Sequence, residues 1–210
     1  MVMVAAALAN ALKNGLGFAA QPTSSETTGL ATSIISHLSS GTVSHASVTG
    51  TAPPSGGPLT LGAAAGGTIS GLSGSSLATL MKNNMGKPSV TPELQGMANG
   101  IANHLSTGLV TFLVGSIIGT CANTPVNPGP LAGSGLGGTI SGLSGSTMAT
   151  AMASAMGKPG TTPELIDFCT AIVNYVQTNA SVTYATGAVT GVCSAGGGPV
   201  VAAGAGGTIL

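Results

Sequence analysis

Three stretches of the chain repeat apolar residues at the spacing of a helix. In the clearest one, apolar side chains fall at positions i, i+3, i+4, i+7 and i+11, which places them on one helical face. These residues are Leu94, Met97, Ala98, Ile101 and Leu105. The other two stripes consist of Leu30, Ile34, Ile35 and Leu38, and of Leu165, Phe168, Cys169, Ile172 and Val176. The pattern predicts three amphipathic helices.

Two of these helices have clear start signals. Thr91 and Thr162 are predicted N-caps, because a hydroxyl can accept a hydrogen bond from a free amide of the first turn. The proline that follows each threonine lacks the amide hydrogen that would otherwise stay unbonded. A glutamate in the first turn suits the positive end of the helix dipole. The three glutamates, Glu26, Glu93 and Glu164, all stand at this position.

A shorter helix is predicted before each amphipathic one. The three ranges are 4–14, 76–85 and 147–156. Gly86 and Gly157 are the predicted C-cap glycines of the last two, and a proline two residues later prevents continuation. Each pair of helices therefore forms a predicted helical hairpin, in which small side chains such as Ala78 and Ala149 allow close approach.

After each hairpin, apolar and polar residues alternate. The segments 41–52, 108–120 and 180–192 are rich in Val, Thr and Ile with internal Gly, which predicts a β-hairpin or two short strands in each. A glycine-rich run follows each segment and is either an extended strand or a linker. The apolar stretch 108–122 is also a candidate for a membrane span, but about 20 apolar residues are needed to cross a bilayer, so a strand is favoured.

The phrase Gly-Gly-Thr-Ile occurs three times, at Gly66–Ile69, Gly137–Ile140 and Gly206–Ile209, and Met-Gly-Lys-Pro occurs twice, at Met85–Pro88 and Met156–Pro159. Such self-similarity indicates a repeat architecture. We predict an α+β fold of three tandem units, 1–70, 71–141 and 142–210. Each unit is a helical hairpin followed by a short β-hairpin and a Gly-rich segment.

Composition points to association with other proteins. Charged residues make up 4% of the chain and the formal net charge is zero, whereas globular domains usually contain about 25% charged residues. An uncharged surface promotes association. Disordered chains usually have low hydrophobicity and high net charge, which this sequence does not have. Four scattered lysines cannot neutralise many phosphates, so nucleic-acid binding by a basic patch is excluded.

No residue is predicted to be catalytic, to bind a cofactor or to hold a metal. His37 and His104 stand near the ends of two amphipathic helices, where Tyr175 occupies the third such position. We interpret both as hydrogen-bonding side chains that also favour the helix dipole. Asp167 is interpreted as a solvated or capping residue. The glycine-rich strings lack the features of a phosphate or dinucleotide loop, so they predict close backbone packing.

The cysteines Cys121, Cys169 and Cys193 are odd in number, so they cannot all pair within the chain. Their spacing matches no metal motif, and we interpret all three as small buried apolar side chains. The apolar start of the chain lacks a positive segment before it and is interpreted as the first helix rather than as a secretory signal.

The phrases GLSGSS, MGKP and TPEL together resemble small Gly/Ala-rich proteins encoded among the structural genes of tailed bacteriophages and prophages. The matching stretches are 66–106 and 137–178. The resemblance implies a virion component of the head, neck or tail, with a capsid decoration as one such component, assembled in the host cytoplasm. It implies no catalytic residues, and partners that are copies of this chain and other virion proteins.

Two functions from different classes follow. A structural assembly protein explains the low charge, the repeat and the lack of a candidate site. A membrane-active pore is the alternative, because small-residue helix faces can oligomerise in lipid, but the Lys/Arg face usual for interfacial helices is absent. Another self-assembling filament or shell protein is a variant of the first function. An enzyme is not predicted.

Overall fold

The chain forms two compact units, and each is built from three separate segments. The structure, a computed structural model, describes residues 3–122 and 128–210. The helical unit comprises Met1–Gly41, Gly71–Gly108 and Gly142–Ala180, and the β unit comprises Thr42–Ser70, Leu109–Ser141 and Ser181–Leu210. The chain therefore passes repeatedly between the two units.

The helical unit is a closed ring of helices. Each helix packs against the next one along the chain, and the last also packs against the first. The described residues contain six helices: α1 (Ala5–Gly15), α2 (Ser25–Ser39), α3 (Gly74–Asn84), α4 (Pro92–Leu105), α5 (Gly145–Ala155) and α6 (Pro163–Asn179). All six helices were predicted, with ends that differ by at most a few residues.

The predicted helix caps are confirmed. The Thr91 hydroxyl accepts from the Leu94 N–H at 3.2 Å, and the Thr162 hydroxyl accepts from the Leu165 N–H at 3.3 Å. Helix α2 begins in the same way at Ser24. Gly86 and Gly157 follow α3 and α5 with φ values of 65° and 67°, the left-handed conformation of a C-cap glycine.

The predicted apolar stripes face the interior of the ring. Most of their residues are buried, whereas Ile35, Met97 and Leu165 are half-buried. Small residues bring the helices together: a Cβ added to Gly96 of α4 would lie 2.6 Å from the carbonyl oxygen of Ala155 in α5. A side chain at that position would force the two helices apart.

The β unit is a six-stranded antiparallel β-barrel with one short additional strand. The strands are β1 (Thr42–Ala52), β2 (Gly57–Pro58), β3 (Thr60–Ser70), β4 (Leu109–Cys121), β5 (Gly129–Ser141), β6 (Val182–Cys193) and β7 (Gly198–Ile209). The hydrogen-bonded order is β3-β1-β7-β6-β5, and β4 pairs with both β3 and β5, which closes the sheet. The short strand β2 pairs with β4.

The alternating segments are not hairpins in themselves, so that part of the prediction is wrong. Each is one long strand (β1, β4 or β6), and the glycine-rich run that follows it supplies the antiparallel partner (β3, β5 or β7). The glycines that suggested turns instead lie within strands. Gly115 of β4, for example, has a φ of 85° where the pairing of β4 and β5 shifts register between Thr111 and Ile117.

The stretch weighed as a membrane span is strand β4. Among the described residues, no helix combines the length and hydrophobicity needed to cross a bilayer.

The predicted unit boundaries coincide with points where the chain passes between the two units. The β segments end at Ser70 and Ser141, and helical segments begin at Gly71 and Gly142. The division into three tandem units stays a prediction, because the two compact units of the structure separate the helices from the strands rather than one repeat from the next.

Candidate interaction surface

His37 and His104 make the same contact in the helical unit. Nε2 of His37 accepts a hydrogen bond from the Ser73 N–H, and Nε2 of His104 accepts one from the Ser144 N–H, each at 3.0 Å. Ser73 and Ser144 are the N-cap residues of α3 and α5. Burial lowers the pKa of both imidazoles. They act as neutral acceptors, so they supply a hydrogen bond but not the positive charge expected for the helix dipole.

Tyr175 makes a related contact where the ring closes. Its hydroxyl accepts from the Val4 N–H at 2.6 Å and donates to the Val4 carbonyl oxygen at 2.8 Å. Val4 is the N-cap residue of α1. The corresponding side chains of α2, α4 and α6 thus each bind the start of the next short helix. This role is structural, and it satisfies backbone groups that a helix leaves unbonded.

His45 lies in the interior of the β unit with two other rings. Its Nε2 is 2.9 Å from the carbonyl oxygen of Val110, which can only accept, so Nε2 carries the hydrogen. Nδ1 therefore accepts from the Tyr184 hydroxyl at 2.6 Å. Phe112 stacks on Tyr184 with ring centroids 5.2 Å apart. His45, Phe112 and Tyr184 occupy corresponding positions of β1, β4 and β6.

The His45 cluster packs closely against glycines of the neighbouring strands. A Cβ on Gly67 would overlap the imidazole, and a Cβ on Gly204 would lie 2.8 Å from the Tyr184 ring. Burial lowers the pKa of His45 and raises the pKa of Tyr184 to about 12. Both side chains are therefore neutral, and the cluster is a hydrogen-bonded part of the core.

Glu26, Glu93 and Glu164 each lie in the first turn of a helix, at the predicted positions. The backbone N–H of each residue and the neighbouring threonine hydroxyl lower the pKa of Glu93 and Glu164. Glu26 forms an ion pair with Lys87, and the charge of Lys158 favours ionisation of Glu93. Asp167 is exposed and lines a shallow groove of about 450 Å³ between α1 and α6.

The interpretation of all three cysteines as isolated apolar side chains is wrong for two of them. Cys121 at the end of β4 and Cys193 at the end of β6 form a disulfide. Cys169 is a buried free thiol, and burial raises its pKa to about 12. The odd number of cysteines excluded complete pairing, but only the tertiary structure brings these two strand ends together.

The residues described by the structure include no cluster of three or more His, Cys, Asp or Glu side chains able to hold a metal ion. The histidines, glutamates and cysteines described above make contacts that stabilise the fold. The candidate for a functional site is therefore the exposed surface of the protein.

That surface is charge-free over the whole β unit. Every Lys, Asp and Glu of the sequence lies in the segments of the helical unit. The β unit instead exposes nine large apolar side chains among its described residues: Leu61, Leu109, Leu113, Val114, Ile118, Leu136, Val192, Val201 and Leu210.

Six of these nine side chains belong to three adjacent strands. Strand β4 carries Leu109, Leu113, Val114 and Ile118, and it pairs with β3 and β5, which carry Leu61 and Leu136 respectively. We call these six residues the β4 face. Exposed apolar patches of this kind on a protein without a bound partner mark interaction sites.

Sequence reasoning recognised the apolar stretch in β4 but considered it only as a membrane span or an ordinary strand. The signal that would have found the β4 face is alternation: residues 109, 111 and 113 share one side of a strand, and residues 110 and 112 share the other. Both sides are largely apolar, although only one is buried.

No protein-family profile, curated protein or solved structure matches this chain.

Proposed function

We propose that the protein is a structural subunit that assembles through protein–protein contacts, as a virion component of a tailed bacteriophage. The observation that carries the proposal is the β unit, which has no Lys, Arg, Asp or Glu and, among its described residues, exposes nine large apolar side chains.

The physical argument concerns the cost of leaving this surface in water. Removing exposed apolar surface from water lowers the free energy by about 25 cal/mol per Å². Charged side chains normally keep copies of a protein apart, and a neutral surface promotes association. Association of the β unit is therefore favoured by burial of apolar surface and is not opposed by repulsion between charged side chains.

We also propose that the chain consists of three tandem units arranged with pseudo-threefold symmetry. Two sets of corresponding contacts support this organisation. His37, His104 and Tyr175 each bind the N-cap of a short helix. His45, Phe112 and Tyr184 meet in one cluster. Such a chain can occupy a symmetric position in a larger particle, because symmetric assemblies reuse one interface.

The virion assignment depends on the resemblance of GLSGSS, MGKP and TPEL to phage structural proteins. The Cys121–Cys193 disulfide supports it, since disulfides persist on virion surfaces and are rare in the reducing cytoplasm. The head, neck and tail are equally compatible with these features.

The oligomeric state of the purified full chain tests the proposal. Sedimentation velocity over a concentration series should give a mass well above the 19.8 kDa of one chain. The association should persist in about 1 M salt, where exposed charge pairs are screened. A compact monomer at all concentrations, with no recovery in a particle fraction, would refute the proposed function.

A further inference from the structure

We propose that the β4 face is the surface through which two copies of this chain bind each other. The inference rests on the proposed function and specifies the partner and the residues involved.

The first observation is that the β4 face is apolar where the corresponding strands are not. Strands β1, β4 and β6 align through their interior residues, which are Val43, Val110 and Val182 at one position and Val48, Ile117 and Val189 at another. The counterparts of Leu109 are Thr42 of β1 and Ser181, which directly precedes β6. The counterparts of Leu113 are Ala46 and Ala185, those of Val114 are Ser47 and Thr186, and those of Ile118 are Thr49 and Thr190.

On the strands beside β4 the contrast holds for Leu136 but not for Leu61, whose counterparts are Ala132 and the exposed Val201. Leu136 of β5 has Ala65 and Ala205 as its counterparts in β3 and β7. The interior positions of all three strands are filled by apolar side chains or by the bonded His45–Tyr184 pair, so the fold does not require large apolar residues on the outside of β4. Exposing these apolar side chains to water is unfavourable, and no contact within the monomer compensates for it. This indicates that they contact a partner.

The second observation is local geometry. Between Thr111 and Ile117, strand β4 holds more residues than the facing part of β5. This bulge projects Leu113 and Val114, which are 66% and 67% exposed. Bulges redirect side chains in this way. Beside Ile118 lies a shallow depression of about 390 Å³, lined in part by Gly119 and Gly133. Projecting side chains next to a depression suit a partner with the same features.

The third observation is charge, and it identifies the partner as a second copy. A partner with charged side chains at this interface would lose their hydration without gaining an opposite charge, since the β unit has none. The β unit of an identical chain brings neither charge nor repulsion. In a two-fold arrangement one patch meets its own copy, so the Leu113 bulge of each chain can reach the depression of the other.

The decisive variant uses residues that the chain already tolerates at corresponding positions. L109S/L113A/V114T/I118T gives β4 the outward residues of β6 and leaves its interior unchanged. The matched control is V192T/V201A, which removes two exposed valines of β6 and β7 by introducing the residues found at Thr120 and Ala132. Circular dichroism and thermal unfolding establish that both proteins are folded.

Sedimentation velocity of the wild type and both variants is then compared. We expect the β4 variant to self-associate about 100-fold more weakly or worse, because four apolar side chains lose their burial, while the control behaves like the wild type. If the wild type associates and the β4 variant associates equally well, the β4 face is not the interface although assembly stands. If the wild type is monomeric throughout, this inference fails together with self-assembly.

A second measurement does not depend on substitution of the patch. A photo-crosslinking amino acid at position 113 should give dimers whose crosslinked peptides map to β3, β4 or β5 of the second chain. The same group at position 185 of β6 should give few dimers. Equal crosslinking from both positions, or crosslinks from 113 that map only to the helical unit, would overturn the proposal.

Discussion

Tyr184 donates its hydroxyl hydrogen to Nδ1 of His45 across 2.6 Å, although the two residues are 139 positions apart in the chain. Both lie in the interior of the β unit, at corresponding positions of β6 and β1. The third corresponding residue, Phe112, has no polar atom in its side chain and stacks on Tyr184. The core position therefore accepts either a bonded polar pair or an apolar ring.

Tyr184→Phe should destabilise the protein. The substitution preserves the ring but leaves Nδ1 of His45 buried without a donor, which costs about 1–3 kcal/mol. Urea unfolding monitored by circular dichroism measures the change in the free energy of unfolding.

The control for Tyr184→Phe is the double variant H45F/Y184F. It replaces both polar partners with the residue that β4 uses at this position. Because the Val110 carbonyl oxygen also loses the His45 donor, the double variant should recover only part of the stability that the single variant loses. A single variant as stable as the wild type would contradict the hydrogen-bonded role of this pair.

Stability should decrease as the solution is acidified. Burial lowers the pKa of His37, His45 and His104 below the ordinary value. The unfolded chain, with histidine pKa values near 6.5, therefore takes up protons before the folded chain does. The stability that the folded state gains from keeping these three histidines neutral is fully present above about pH 6.5 and is lost progressively below it. Urea midpoints measured between about pH 7.5 and 5.5 should fall along this range.

The variant H37Q/H104Q separates the two helical histidines from other acidic effects. A glutamine side-chain oxygen can still accept a backbone hydrogen bond but does not titrate in this range. The pH dependence should be shallower than in the wild type. An unchanged slope would show that these two histidines do not control it.

Loss of the Cys121–Cys193 disulfide should destabilise the β unit. The residues are separated by 72 positions, and a loop of this size corresponds to about 4 kcal/mol in the chain-entropy account. Alanine is the fitting replacement, because Ala52 occupies the corresponding place in β1 and is buried. C121A/C193A should unfold at lower temperature, and reducing agent should lower the wild-type midpoint toward it.

Cys169→Ala is the control for the disulfide. It removes the free thiol, so its midpoint should keep the same sensitivity to reducing agent as the wild type. A wild type whose unfolding temperature is unaffected by reductant would contradict the stabilising role of the disulfide.

Phe18→Lys should introduce an ion pair that the chain lacks. Phe18, Lys87 and Lys158 occupy the same turn, because each backbone N–H bonds a carbonyl five residues earlier. Lys87 pairs with Glu26, and Lys158 interacts with Glu93, so a lysine at position 18 should interact with Glu164. The gain in the free energy of unfolding should be small, since the pair is exposed.

High salt and a second substitution test the origin of this gain. Salt of about 1 M should abolish it, and adding E164Q should do the same. A gain that survives both changes would come from removal of the exposed Phe18 ring rather than from the ion pair.

Local features of the fold were predictable because they depend on neighbouring residues. The hydroxyls of Thr91 and Thr162, the prolines after them and the glycines at 86 and 157 specify helix ends within a few positions. The apolar stripes likewise specify which helix faces are buried. Strand pairing was missed, because an internal glycine such as Gly115 suggests a turn as readily as a bulge, and no local feature selects a partner strand.

The sequence predicted only part of the β4 face. The apolar character of residues 109–118 is present in the sequence, but alternation divides it between an interior side and an outward side only once β4 is placed between β3 and β5. The exposed apolar side chains of β4 are unusual only in comparison with the outward residues of β1 and β6. That comparison requires the buried residues of the three strands to be aligned first.

The sequence alone established the helices, their caps and the recurrence of similar stretches, because each depends on residue type and short spacing. The closure of the sheet through β4 and β5, the Cys121–Cys193 bond and the exposure of the β4 face depend on the packing of distant segments. Burial and strand pairing are properties of the folded chain, so these features follow only from the three-dimensional arrangement.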